Sequence, residues 1–132
     1  MPEREQIVID RFAADRYARS QGFRLGDITD DGVTVSVVVR AEHANFHGGT
    51  HGGVIFSLAD CAFSLASNAY PETAVAIDAH MVFTAPSAPG GELVATATEV
   101  TRGRSLANYR VTVSDPDGRI VGLFTGTVMI LG

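Results

Sequence analysis

An aspartate stands in the middle of the most hydrophobic stretch of the chain. Asp60 follows Val54-Ile55-Phe56-Ser57-Leu58-Ala59 and precedes Cys61-Ala62-Phe63. Eight positions ahead of it, Gly52-Gly53 opens the stretch, directly after the polar loop Asn45-Phe46-His47-Gly48-Gly49-Thr50-His51. Hydrolysis at an acyl carbonyl needs a hydrogen-bond donor where the oxyanion develops, and a carboxylate to attack or to activate water. Glycine at a helix start suits the first role. It lets a ligand oxygen approach the backbone closely, and the first N–H groups of a helix have no partner within it. Such a donor contributes about 3–4 kcal/mol to a transition state. Asp60 suits the second role, because an apolar helix desolvates it and keeps it reactive. Desolvation raises a carboxylate pKa and hydrogen bonds to the charged form lower it; the sequence leaves that balance open. A structural alternative also stands: Asp60 could cap a nearby segment or pair with an arginine. A buried acid without a partner is costly, which weighs towards a function.

Other chemistries fit the residues less well. His43, His47, His51 and His80 raise the question of a metal, and His47 and His51 are four apart. They lie in a glycine-rich loop rather than on one helix face, and no glutamate follows in the metalloprotease pattern, so no metal is expected. His51 reads better as a hydrogen-bonding residue that fixes the glycine turn. Gly48-Gly49-Thr50-His51-Gly52-Gly53 lacks both the Gly-Lys-Ser/Thr ending and the spacing of nucleotide loops. Ser57, Ser64 and Ser67 have no nucleophile elbow around them. Cys61, adjacent to Asp60, points about 100° away on a helix and reads as a small packed hydrophobe.

The elements that must position these groups follow from periodicity and punctuation. The chain has 132 residues, 45% hydrophobic and 19% charged, which fits one compact domain. A net charge of −5 argues against generic nucleic-acid binding. No apolar run is long enough to span a bilayer. The charged N-terminus shows no signal-peptide pattern, and the single Cys61 fits a reducing cytoplasm, so a cytoplasmic location is expected. All ten basic residues are arginine, and none lies between Arg40 and Arg102. Any cation that pairs with Asp60 or Asp78 must therefore come from elsewhere in the fold or from another chain.

Glu3 to Ser20 reads as an N-terminal helix, stopped at Gln21-Gly22. Strands are expected at Phe23 to Ile28 and Val33 to Arg40, around the turn Thr29-Asp30-Asp31-Gly32. The helix carrying Asp60 covers about 53–68, with Gly52 or Gly53 at its start. Apolar residues go most of the way round it, the mark of a buried helix. Three or four strands follow, Ala74 to Phe83, Glu92 to Arg102, Leu106 to Ser114 and Ile120 to Leu131, joined by turns too short for parallel crossovers. The expected class is α+β, one long buried helix wrapped by a curved antiparallel sheet.

The segment Asn45 to Asp60 resembles the signature of the phenylacetyl-CoA thioesterase (PaaI-like) family of hotdog proteins. An Asn stands six residues before His51-Gly52-Gly53, and an acidic residue stands eight after Gly52. The likeness extends over nearly the whole chain. It implies a hotdog fold and hydrolysis of an acyl-CoA thioester with no cofactor beyond the CoA of the substrate. Asp60 would attack the thioester or activate water, Gly52 would donate its N–H to the thioester oxygen, and Asn45 and His51 would position water or substrate. Gly53 and Phe56 would touch the substrate. Arg102-Gly103-Arg104-Ser105, otherwise a solvated hairpin tip, would offer Arg102, Arg104 and Ser105 to the CoA phosphates. Phe63, Met81 and Phe83 could line an acyl pocket or simply fill the core. The sequence departs from its relatives at Phe83-Thr84-Ala85-Pro86, where they often carry Arg before the proline.

Geometry adds a demand of its own. Eight residues of helix separate Gly52 from Asp60 by roughly 12 Å, at about 1.5 Å per residue. Reacting atoms must come within about 3–3.5 Å. If both residues serve one thioester, they come from different subunits, at two equivalent sites of a homodimer or of a tetramer built from two dimers. Two rival functions keep the fold: an acyl-CoA binding or sensing protein, which would not need Asp60, and an acyl-thioester dehydratase or hydratase. The latter usually pairs a catalytic His with a carboxylate, and its proline-rich loop is not evident after His43 or His47.

Overall fold

The computed structural model describes residues 2–132, leaving out the side chain of Pro2. The chain runs α1 (Pro2–Ala14), α2 (Arg16–Ser20), β1 (Arg24–Ile28), β2 (Gly32–Val38), a 3-10 turn (Ala41–His43), α3 (Gly52–Ser67), then β3 (Ala74–Phe83), β4 (Glu92–Arg102), β5 (Leu106–Ser114) and β6 (Ile120–Ile130). The six strands form one antiparallel sheet in the order β1-β2-β4-β5-β6-β3. The helix α3 packs against the sheet, mostly on β2, β4 and β5. This is the hotdog arrangement that the sequence implies.

The expected N-terminal helix is two helices. Asp15 adopts an extended conformation (φ −82°, ψ 95°), and its side chain accepts the Ala18 N–H at 3.0 Å. Aspartate competes with helix continuation by capping its own backbone, so the helix stops and restarts there. The central helix begins at Gly52 and ends at Ser67, one residue earlier at each end than periodicity suggests.

Burial along the strands alternates: Val33, Val35 and Val37 of β2, and Tyr109, Val111 and Val113 of β5, point at α3 and are closed to solvent. Leu58, Ala59, Ala62, Phe63 and Ala66 of α3 meet them. Phe63 comes so close to β6 that a Cβ on Gly126 would lie 2.7 Å from its ring. Gly126→Ala is therefore expected to cost about 1–3 kcal/mol through overpacking, measurable as a lowered midpoint in urea at unchanged slope.

Two surfaces stay open. On α3, Phe56, Ser57, Asp60 and Ser64, continued by the C-cap Asn68, form a half-buried stripe at helical spacing, while the rest of the helix from Val54 onward is covered. On the sheet, β3 is a terminal strand with Val75, Ile77, Val82 and Phe83 each more than 40% exposed. An unpaired apolar edge is a template for pairing with another strand.

Candidate active site

The loop ahead of α3 is held by its own polar groups. The Asn45 side-chain oxygen accepts the N–H groups of His47 (2.9 Å) and Gly49 (3.2 Å), and the Asn45 N–H donates to the Gly49 carbonyl at 2.8 Å. That uses the oxygen of Asn45 and leaves its amide nitrogen as the group free to face a ligand. Gly48 takes a φ of 86°, which suits glycine and closes the turn.

His51 ends the loop as the N-cap of α3. Its Nδ1 accepts the Gly53 N–H at 2.8 Å, and its own N–H donates to the His43 carbonyl at 2.7 Å. The Val54 N–H goes to the His51 carbonyl at 3.0 Å. The amides of residues 51, 53 and 54 are thus occupied. Among the described residues, the Gly52 N–H has no acceptor. His51 fixes the glycine turn as expected, and the capping singles out Gly52, not Gly53, as the available donor at the helix N-terminus.

Gly52 opens onto a cavity of about 520 Å³, lined with it by Asn45, Ile55, Phe83, Pro86 and Ser87, among others. The Phe83 ring covers one side of Gly52, close enough that an added Cβ would meet it at 3.3 Å. Ser87 reaches the site through Thr50, whose N–H donates to the Ser87 carbonyl (2.8 Å) and whose hydroxyl donates to the Ser87 hydroxyl (3.2 Å). Ser87 carries no motif and lies 35 residues from Gly52 in sequence; only the return of β3 past the helix start brings it in. The departure at Thr84-Ala85-Pro86 also lies on this cavity wall.

Asp60 does not line that cavity. It sits two turns further along α3, on the open stripe, and forms no ion pair among the described residues. Burial, and secondarily the carboxylate of Asp15 across the α1–α2 break, push its pKa above the usual aspartate value. The distance expected between Gly52 and Asp60 therefore persists in the folded chain, with a cavity at the donor and the carboxylate two turns away along the helix.

The remaining expected site residues divide clearly. Phe56 lies on the open stripe, its ring edge-on to Phe124 at 5.5 Å. Phe63 is fully buried core, and Met81 packs beside Gly122 and Ile55 under β6. Arg102 is turned inward: it stacks 3.6 Å from the centre of the Tyr70 ring, bonds the Tyr109 hydroxyl at 3.3 Å and lies 3.9 Å from Glu99. Glu99 accepts both phenols, at 2.8 Å from Tyr70 and 2.6 Å from Tyr109. Arg104 and Ser105 stay exposed on the hairpin tip, so of the three only they are free to meet a ligand. Among the described residues no group of three or more His, Cys, Asp or Glu gathers in a metal-binding arrangement.

Cys61 is buried, and desolvation pushes its thiol up to about 12. A thiol, not a thiolate, is unreactive. Cys61→Ala is expected to keep wild-type turnover, and the native thiol should resist alkylating reagents until the chain is unfolded.

The model of the Thioesterase superfamily matches residues 47–121. A putative esterase of Deinococcus radiodurans is 42% identical over 113 residues, covering 85% of this chain and 77% of its own. Acyl-coenzyme A thioesterase PaaI of Escherichia coli is 32% identical over 112 residues, covering 85% and 80%. The structure of the E. coli PaaI protein from the phenylacetic acid degradation operon superimposes with a TM-score of 0.95 over 98% of this chain and 94% of that one, at 29% identity. The chain belongs to the thioesterase superfamily, on its PaaI-like hotdog branch. It is an enzyme of the thioester hydrolase class.

Proposed function

We propose that this protein hydrolyses an acyl-CoA thioester, with an aryl or medium-sized acyl group, to the free acid and CoA. The observation that carries the reading is the pairing of two unsatisfied groups. Among the described residues, the Gly52 N–H is the donor left without an acceptor at the start of α3, and it opens into a cavity. Asp60 is a desolvated carboxylate that pairs with no cation among the described residues. The N–H is placed to take the thioester oxygen as it becomes an oxyanion, where a fixed donor acts most strongly. The carboxylate supplies either direct attack or a proton acceptor for water.

The two groups act on one thioester only when contributed by different subunits. A second copy paired along β3 would continue the sheet, bury Val75, Ile77, Val82 and Phe83, and bring the two α3 stripes together. Each site would then hold Gly52, Asn45 and His51 of one chain and Asp60 of the other, and such dimers could pair again into tetramers. Phe83, at the end of the exposed edge and against Gly52, links interface and site. Arg104 and Ser105, at their exposed tip, are the residues offered to the CoA phosphates. The protein works in the cytoplasm, on a soluble substrate, with no cofactor of its own.

The test is a panel of acyl-CoA thioesters assayed by release of free thiol, with wild type and Asp60→Ala in parallel. Turnover by the wild type that vanishes in the variant is the expected result. Equal residual hydrolysis by both, on every thioester, would overturn the reading.

A further inference from the structure

His43 is nearly closed to solvent, at 3% exposure, and every polar atom of it is engaged. Its Nδ1 accepts the backbone N–H of Arg40 at 3.0 Å, while its own N–H returns to the Arg40 carbonyl at 2.9 Å. These reciprocal bonds close the 3-10 turn Ala41–His43 on the end of β2. Nε2 faces the Gln21 carbonyl and the Arg40 guanidinium, which lies 3.3 Å away. The His43 carbonyl then accepts the His51 N–H at 2.7 Å, the peptide immediately ahead of Gly52.

Such a residue is more than filler. The bond from Arg40 N–H to Nδ1 requires an unprotonated Nδ1, so the ring is neutral with its proton on Nε2. Burial and the Arg40 guanidinium favour that neutral form, opposed by the Glu42 carboxylate on the same turn and by the Gln21 carbonyl. From the rigid end of β2, the line of bonds runs through the ring to the His43 backbone, to His51 N–H, and so to the orientation of the Gly52 N–H. An oxyanion donor must be held within about 0.5 Å of its productive position. Apart from bonds among its own residues, the loop between residues 44 and 50 is tied by the Ala44 N–H to the Ala41 carbonyl of the same 3-10 turn and by Thr50 to Ser87, so this line is its tether to the end of β2.

We infer that His43 is a positioning residue, whose imidazole clamps the turn that aims the Gly52 N–H at the thioester oxygen. This rests on the proposed hydrolysis, and deepens it by naming what holds the donor in place. His43 never touches the substrate.

Two variants of similar size separate the clamp from mere bulk. In His43→Asn the side-chain oxygen falls where Nδ1 was and can accept the Arg40 N–H; in His43→Gln the polar end lies one bond further out and cannot. The expected result is a kcat near wild type for Asn and a fall of about 10–100-fold for Gln, with KM little changed in both. Backbone amide exchange at His51, read by NMR, should quicken in Gln but not in Asn, beyond any change at core amides such as Val111. This second readout needs no turnover. If wild type hydrolyses no thioester while His51 exchange still follows the pattern, the clamp stands and the hydrolysis reading fails. Equal kcat and equal His51 exchange in Gln and wild type would overturn the inference, as would losses in Asn and Gln that simply follow their melting temperatures.

Discussion

Replacing Asp60 with Asn is expected to lower kcat for thioester hydrolysis by about 10²–10⁴-fold, the range for loss of a positioned base. The isostere keeps the shape of the α3 stripe and removes the charge. It should also leave the fold at least as stable. Burial and Asp15 raise the Asp60 pKa, so the native state binds its proton more tightly than the unfolded chain does. Folding stability is then highest below the unfolded pKa and falls as pH rises towards the folded one. Above that window the wild type carries the full cost of a desolvated charge, and the Asn variant carries none. A melting temperature at pH 7 that is equal or higher in Asp60→Asn, beside a lost turnover, is the paired signature of a functional carboxylate. A lowered melting temperature would mark Asp60 as structural. On the acid side, wild-type kcat/KM should climb with pH as the carboxylate ionises, with a midpoint above the usual 3.8 of an aspartate. Both effects need the same protein concentration in every sample, because the proposed dimerisation would shift apparent stability.

The second large effect concerns a backbone atom, and a proline can remove it. Gly52 is the first residue of α3, the helical position at which proline is best tolerated. His51 before it is already extended, at φ −62° and ψ 132°, as a residue ahead of proline must be. Gly52→Pro therefore deletes the free N–H while keeping the helix. Its expected cost is about 10²–10³-fold in kcat, as for other oxyanion donors. Gly52→Ala is the control: it adds the same Cβ against the Phe83 ring, 3.3 Å away, and retains the N–H. The ring is half-exposed and can yield, so Ala should retain most of the turnover that Pro loses. If Ala and Pro fall together, crowding by Phe83 and not the hydrogen bond explains the loss.

Much of this was legible in the chain itself. β3, β4 and β5 run from Ala74 to Phe83, Glu92 to Arg102 and Leu106 to Ser114, as turn chemistry and β-branched residues indicate, because each is bounded by glycine, proline or aspartate. The helix α3 and the position of Asp60 within it follow from an apolar pattern that no loop would carry. The missed features depend on single side chains and long-range returns. The break at Asp15 arises because one carboxylate caps the next turn, which periodicity cannot see. Arg102 looked available because it adjoins a hairpin tip. Its inward turn depends on Tyr70, Tyr109 and Glu99, three residues that meet only in the folded sheet. His43 gives no signal in the sequence beyond its type, since the bonds of its ring to Arg40 and of its carbonyl to His51 exist only in the folded turn. The separation of Gly52 from Asp60 was readable as a length, and the cavity at one and the open stripe at the other give that length its two places.

The claim that one site draws on two chains is tested most directly by mixing two dead proteins. Asp60→Ala retains Gly52, and Gly52→Pro retains Asp60. In a mixed dimer, the Gly52 of the first variant faces the Asp60 of the second, and one of the two sites is whole. After the two are unfolded together, refolded at equal concentration and assayed by thiol release, about one quarter of wild-type activity should return, since half the dimers are mixed and each has one intact site. If both residues serve a thioester within a single chain, the mixture will show no more activity than the sum of the two variants alone, and the shared site is wrong.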